Sequence, residues 1–201
     1  QMFIRDRFQR MKKPLSEKEK MLASELYTAS DPELVRERIR VRRDLKRLNN
    51  MVYGDDPDYE TVLRRILPNC SPDVQVQPPF YCDYGYNIRC GENTFFNFDC
   101  VVLDVAPVTI GKNGFFAPKV QLYTAGHPLD HKMRGDMLEY GKPITIGDDC
   151  WLGGGVIVCP GVTIGARVVV AAGSVVAKDI PSDSLAAGNP ARVIRSLKKE
   201  N

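Results

Sequence analysis

One histidine is a candidate general base. His127 lies in the sequence TAGHP at residues 124–128, and the other histidine, His131, lies in the polar stretch DHKMRGD. An imidazole titrates near neutral pH, so it can take a proton from a hydroxyl as that hydroxyl attacks a carbonyl carbon. We therefore predict that His127 is catalytic and that His131 is exposed to solvent. A turn-capping role is the alternative for His127.

The cysteines do not indicate a metal site. No two of the six are spaced as CxxC, and neither histidine lies at ligand spacing to a cysteine pair. We therefore expect no metal requirement, and reduced thiols that pack in the core. The six are Cys70, Cys82, Cys90, Cys100, Cys150 and Cys159.

The composition is that of a soluble protein with one main core. Of 201 residues, 43% are hydrophobic and 26% are charged, and no apolar run is long enough for a membrane span. The first 50 residues are basic, but RIRVRRDLKR carries apolar residues at helical spacing, which favours a solvated helix over nucleic-acid binding. No secretory signal is evident, so a cytoplasmic protein is expected. Residues 1–10 are expected to be an extension before a natural start at Met11.

The first elements that must position His127 form a predicted helical arm over residues 11–70. A capping box from Ser16 to Glu19 begins the first helix, and Asp31 with Pro32 begins the second. Apolar residues at helical spacing indicate how far each helix runs. The predicted helices cover residues 17 to about 27, 32 to about 50, and 58–67.

From about Val74 the sequence repeats with a period of six. An apolar residue recurs at every sixth position, a second apolar series lies two residues earlier, and small residues follow the first series. This pattern is typical of a β-solenoid, in which each short strand points a side chain inward and three strands form an 18-residue coil. The main series is Ile146, Leu152, Val158, Ile164, Val170 and Val176, and the second is Ile144, Cys150, Val156, Val162, Val168 and Ser174. The predicted coils are 88–105, 108–125, 144–161 and 162–179.

His127 stands near the start of an excursion from this repeat. Residues 126–143 leave the register for the length of one coil, and a loop of that length in a compact domain is usually functional. We predict a mainly β protein in which residues 71–197 form the solenoid, the excursion shapes a site, and a short helix ends the chain.

Six motifs carry a resemblance to a known family. They are CDYGYNI at 82–88, NFDCVVLD at 97–104, TAGHP at 124–128, GKPITIGDDCWLGGG at 141–155, PGVTIG at 160–165 and AAGNPARVI at 186–194. Together they resemble the maltose and galactoside O-acetyltransferases, including the nodulation-type members. The resemblance implies a left-handed parallel β-helix and a homotrimer with sites between neighbouring subunits. It also implies direct acetyl transfer from acetyl-CoA to a sugar hydroxyl, with His127 as the base.

The same resemblance implies residues that contact the two substrates. Glu139, near the end of the excursion, either orients His127 or binds sugar. The acceptor-side residues are Arg38, Asp83, Asn97 and Asp104. The donor-side residues are Trp151, Gly154, Ala172, Ala177, Lys178, Arg192 and Arg195.

Two departures from the family pattern concern the acceptor. Galactoside-type members have an aspartate where this chain has Ala29, and a serine where it has Asp83. A maltose- or glucose-type acceptor is therefore favoured. The turn Trp151 to Gly155 is a candidate source of a backbone N–H for the oxyanion.

Other functions remain open from the sequence. The same fold could serve a non-sugar acceptor such as an antibiotic or serine, or it could be a noncatalytic scaffold that does not need His127. A ping-pong route through Cys150 or Cys159 is disfavoured because both have packing explanations. A γ-type carbonic anhydrase would need three histidines. Asn97 could simply form a solenoid corner, and Arg192 could belong to a solvated helix.

Overall fold

A computed structural model describes residues 14–198, so the expected extension at residues 1–10 and the start at Met11 lie outside the described residues. Within residues 14–198 no helix is long and apolar enough to cross a membrane. The helices are α1 Glu17–Leu22, α2 Pro32–Leu48, α3 Tyr59–Ile66 and α4 His131–Gly135. In chain order the strands are β1 Tyr27–Thr28, β2 Gln75–Val76, β3 Phe80–Cys82, β4 Ile88–Cys90, β5 Phe95–Phe96, β6 Cys100–Leu103, β7 Val108–Ile110, β8 Phe115–Phe116, β9 Gln121–Tyr123, β10 Ala125–Gly126, β11 Leu138–Gly141, β12 Ile144–Ile146, β13 Trp151–Leu152, β14 Ile157–Val158, β15 Thr163–Ile164, β16 Val169–Val170, β17 Val175–Val176, β18 Ser184–Gly188 and β19 Ala191–Ser196.

The arm forms three helices, as predicted, but the first is shorter. The capping box is present, with the Ser16 hydroxyl accepting from the backbone N–H of Glu19 and the Glu19 carboxylate accepting from the N–H of Ser16. The prediction that α1 reaches Tyr27 is wrong. Ser24 adopts a left-handed φ of 60°, which ends the helix and leaves Tyr27 extended in β1.

The repeat forms a parallel β-helix with three sheets. Their strand orders are β15-β12-β7-β4, β19-β18-β16-β13-β8-β5-β2 and β17-β14-β9-β6-β3. Each of the four predicted coils supplies one strand to each sheet, so the predicted coil boundaries are confirmed. Strands β2 and β3 add a partial coil before the first predicted one, and β18 and β19 extend the opposite end. This architecture is consistent with the left-handed β-helix of hexapeptide repeats.

The six-residue series fill the interior as predicted. All twelve residues of the two series are buried, and an aromatic column in which Phe96 stacks on Phe116 and packs edge-on against Phe80 extends the core toward the first coil. The following residue is small because the corners stack closely. A Cβ added to Gly153 would lie 2.6 Å from the backbone nitrogen of Ala172. The six cysteines are free thiols, and all but Cys159 are buried.

The excursion at residues 126–143 is not an irregular loop. Strands β10 and β11 pair antiparallel across its base and α4 lies between them, while β1 of the arm adds a third antiparallel strand. A small second core joins the arm, the solenoid and this hairpin, with buried members Met21, Tyr27, Leu34, Tyr84 and Val105. The arm and the excursion are therefore fixed to the solenoid as one unit around the site.

The prediction of a short C-terminal helix is wrong. Residues Ala191–Ser196 form β19, which pairs antiparallel with β18. Gly188 has a φ of 102° at the hairpin between them, and Val193 and Ile194 are β-branched residues that suit an extended chain. Arg192 and Arg195 therefore project from a strand.

Candidate active site

A cavity of about 450 Å³ lies where the arm, the excursion and the solenoid meet. Four of the sequence-predicted site residues line it together: Arg38, Asp83, His127 and Glu139. The other lining residues are Ala29, Ser30, Val35, Arg42, Leu103, Val105, Ala125 and Met137. The lining thus combines charged side chains with a larger apolar surface.

His127 follows directly after β10 and is held by the neighbouring strand. Its Nδ1 lies 3.3 Å from the backbone carbonyl oxygen of Leu138, at the start of β11. A carbonyl oxygen can only accept a hydrogen bond, so this contact assigns the hydrogen to Nδ1. Nε2 then carries the lone pair, and no hydrogen bond occupies it within residues 14–198. His131 lies exposed in α4, as predicted, and His127 is exposed as well.

The pairing of β10 with β11 places His127 beside Leu138. Gly126 lies opposite Tyr140 in this pair, and a Cβ at Gly126 would lie 2.8 Å from atoms at the far end of the Tyr140 ring. The glycine therefore leaves room for the Tyr140 ring, while the backbone pairing brings the Leu138 carbonyl to the His127 ring.

Glu139 is held by the arm rather than by His127. Tyr27 lies opposite Glu139 in the β1–β11 pair, and its hydroxyl donates to the Glu139 carboxylate at 2.9 Å. Burial and the nearby carboxylate both raise the pKa of Tyr27, so the phenol remains a donor. This contact favours a Glu139 that faces the cavity in a fixed position.

Arg38 and Arg42 project from α2 toward Asp83. Arg38 donates to the hydroxyl of Tyr84 and to the carbonyl oxygen of Ala29, which fixes its guanidinium. Burial raises the pKa of Asp83, and the positive charges of Arg38 and Arg42 oppose that rise. The formal charges of these two arginines and of the Asp83 and Glu139 carboxylates therefore cancel around the cavity.

Asp104 lies behind the cavity wall, not in it. Its side chain is fully buried, whereas its neighbours Leu103 and Val105 both line the cavity. One carboxylate oxygen accepts the backbone N–H groups of Asp83 and Tyr84 at 3.0 and 2.9 Å. Burial raises the pKa of Asp104 to about 7.

Asn97 lies at a different corner of the solenoid. It follows β5, and Gly154 and Ala172 follow β13 and β16 of the same sheet, so the three share one corner. The Asn97 side chain accepts from the N–H of Phe98 at 2.8 Å, in keeping with the corner role left open above. None of the three is among the residues lining the 450 Å³ cavity.

The remaining donor-side residues lie on the outer surface. Ala177 and Lys178 are exposed after β17, which belongs to the same sheet as β9, the strand that leads to His127. Trp151 is 55% exposed on β13, and Arg192 and Arg195 are exposed on β19 of that sheet. A single chain therefore presents these residues along a surface and encloses none of them.

Two contributors to the site were not predicted. Arg42 was assigned to a solvated helix face, although its spacing of four from Arg38 places both on one face of α2. Tyr27 was assigned to a helix, and its partner Glu139 is 112 residues away, so no local pattern could have revealed the contact. Within residues 14–198 no group of three or more His, Cys, Asp or Glu side chains could hold a metal ion.

A parallel β-helix of six-residue repeats, with a histidine-bearing excursion beside a cavity that carries charged side chains, defines a hexapeptide-repeat acyltransferase. Family comparison agrees with this class. Residues 20–71 match the maltose acetyltransferase hexapeptide capping motif, and residues 143–178 match the bacterial transferase hexapeptide family of six repeats.

Individual proteins narrow the class further. Nodulation protein L of Rhizobium meliloti is 46% identical over 178 residues, covering 89% of this chain and 97% of that protein. The crystal structure of a maltose O-acetyltransferase from Clostridium difficile 630 has a TM-score of 0.90 and 46% identity, covering 93% of this chain and all of that one. Galactoside acetyltransferase in complex with coenzyme A has a TM-score of 0.87 and 37% identity, covering 92% of each chain. The chain belongs to the maltose and galactoside O-acetyltransferase family.

Proposed function

We propose that this protein transfers an acetyl group from acetyl-CoA to a hydroxyl of a neutral sugar, with Nε2 of His127 as the general base. The contact between Nδ1 of His127 and the Leu138 carbonyl carries the proposal, because it leaves Nε2 able to accept a proton beside a cavity that carries charged side chains. Base catalysis needs that tautomer.

The transfer is direct, without an acetylated enzyme. When bound, acetyl-CoA supplies an activated thioester. The acceptor oxygen bonds to the acetyl carbon, the carbon–sulfur bond breaks, and His127 passes the hydroxyl proton to the departing thiolate. The buried Cys150 has no role in this step, and desolvation raises its thiol pKa, which disfavours a nucleophilic thiolate.

A neutral acceptor fits the charge balance of the cavity. Arg38 and Arg42 face Asp83 and Glu139, so an uncharged molecule with adjacent hydroxyls finds both donors and acceptors without leaving a net charge. Ala29 lines the cavity where galactoside-type members have an aspartate. We therefore favour a maltose- or glucose-type acceptor over a galactoside.

The donor would contact the seven donor-side residues, of which Gly154 and Ala172 lie at the corner of Asn97, and Ala177 and Lys178 at the corner of His127. Small residues such as Gly154 and Ala172 allow a long, thin molecule to lie close to the backbone, and Lys178, Arg192 and Arg195 can offset phosphate charge. The solved structure of galactoside acetyltransferase, which contains coenzyme A, supports this donor.

A homotrimer would complete the site. His127 and Asn97 lie at different corners of the solenoid, so a single chain does not bring them together. Phe115 and Trp151 are 47% and 55% exposed on the outer face of one sheet, where a neighbouring chain could cover them. Light scattering should give three times the chain mass, and a monomeric mass would contradict the assembly.

The catalytic proposal is tested by acetyl-CoA consumption with maltose, glucose, galactosides and glucosamine derivatives. His127→Ala should lower turnover by about 10²- to 10⁴-fold, which is the contribution of a positioned base. His131→Ala is the matched control and should keep wild-type turnover. Wild-type turnover in His127→Ala would refute the mechanism. Failure of the wild-type protein to bind coenzyme A or to acetylate any acceptor would favour a noncatalytic scaffold.

A further inference from the structure

We infer that Asp104 is a positioning residue for the acceptor site, acting through the backbone of Asp83 and Tyr84 rather than by contact with the sugar. This inference rests on the proposed function of the same cavity. It changes the role expected from the sequence, which placed Asp104 among the acceptor-binding residues.

The end of β6 explains why Asp104 does not line the cavity. Cys100 and Val102 of β6 are buried in the core, and Asp104, two residues further on, continues that inward face, whereas Leu103 alternates with it. Leu103 and Val105 line the cavity, so Asp104 points into the protein, where its side chain is fully buried. An acceptor in the cavity would meet the two apolar neighbours instead.

The polar contacts of the Asp104 carboxylate converge on one short segment. Oδ1 accepts the N–H of Asp83 at 3.0 Å and that of Tyr84 at 2.9 Å. Oδ2 has no hydrogen-bond partner within residues 14–198. These two bonds hold the backbone of Asp83 and Tyr84, because their loss would leave both N–H groups without this partner.

The fixed segment carries two acceptor-side residues. Asp83 places its own side chain on the cavity wall. Tyr84 is buried, and its hydroxyl accepts from Arg38, whose second nitrogen donates to the Ala29 carbonyl. Asp104 therefore positions the backbone of Asp83 directly, and it positions the guanidinium of Arg38 through Tyr84. His127 and the donor-side residues depend on other contacts.

The test compares Asp104→Asn with Asp104→Ala. Asparagine keeps an oxygen that can accept both N–H groups, so Asp104→Asn should keep the KM for the acceptor within about threefold of wild type. Asp104→Ala leaves two buried N–H groups without a partner, so its acceptor KM should rise about tenfold or more. The KM for acetyl-CoA should not change in either variant, and kcat should change less than the acceptor KM.

A matched control separates positioning from general loss of stability. Thr94 is buried at another corner, and its hydroxyl donates to the Gly91 carbonyl at 2.9 Å. Thr94→Val should destabilise the protein without raising the acceptor KM. An unchanged acceptor KM in Asp104→Ala, or an equal change in both KM values and kcat, would overturn the inference.

Hydrogen exchange tests the inference independently of turnover. The amides of Asp83 and Tyr84 should exchange faster in Asp104→Ala than in wild type, and Asp104→Asn should restore most of their protection. Unchanged protection in Asp104→Ala would refute the positioning role. An inactive wild-type protein with this exchange pattern would instead contradict the proposed function and leave the positioning contact intact.

Discussion

Replacing Tyr27 with phenylalanine removes one hydroxyl from the junction between the arm and the excursion. Tyr27 is 1% exposed, and its hydroxyl bonds the Glu139 carboxylate at 2.9 Å. Hydrogen bonds to charged groups contribute about 1.5–3 kcal/mol, and the partial exposure of Glu139 places this one near the lower end. We expect Tyr27→Phe to lower the free energy of unfolding by about 1–2 kcal/mol, because the ring packing is unchanged.

The kinetic consequence distinguishes the two roles considered for Glu139. If Glu139 binds the acceptor, releasing it from Tyr27 should raise the acceptor KM about 3- to 10-fold with little change in kcat, since 1.4 kcal/mol corresponds to a factor of ten. If Glu139 orients His127, kcat should fall instead. Steady-state kinetics and denaturant unfolding of Tyr27→Phe, Glu139→Ala and the double variant form a cycle whose coupling energy measures the contact. Wild-type stability, wild-type kinetics and no coupling would refute the reasoning.

Two further predictions concern the hairpin and the buried carboxylate. Gly126→Ala should cost at most about 1 kcal/mol in unfolding, because its Cβ would meet only the far end of the Tyr140 ring at 2.8 Å and that ring can move aside, whereas Gly135→Ala in α4 meets nothing within 4 Å and should leave stability unchanged. Burial raises the pKa of Asp104 from 3.8 to about 7. Between these pH values the folded state therefore binds more protons than the unfolded state. The wild type should accordingly lose stability relative to Asp104→Asn as the pH rises from about 4 to 7. Urea unfolding at pH 5 and pH 8 measures this difference, and the same difference at both values would contradict it.

The solenoid could be predicted because its repeat is a geometric requirement at every coil. Val158 must fill the interior, and Gly153 must be small where two corners stack, so each six-residue unit carries the same signal. The C-terminal strand could not be predicted in this way. In β19 only Ala191 is buried, so the segment has no periodic apolar face, and its structure depends on pairing with β18.

The position of His127 at the cavity could be predicted from the sequence, whereas contacts between distant residues could not. His127 stands out because its chemistry and its place in an interrupted repeat are both local features. Tyr27 and Glu139 meet only because a two-residue strand of the arm pairs with the hairpin. The sequence around them contains no sign of that pairing.

Asp104 shows why a motif residue needs its structural context. A carboxylate in a conspicuous motif resembles a ligand for sugar hydroxyls, and its neighbours Leu103 and Val105 resemble core residues. The structure shows otherwise for Asp104, because its carboxylate is buried behind the cavity that Leu103 and Val105 line. Acceptor preference should therefore respond to substitutions of Leu103 and Val105 through shape, and to those of Asp104 through the placement of Asp83.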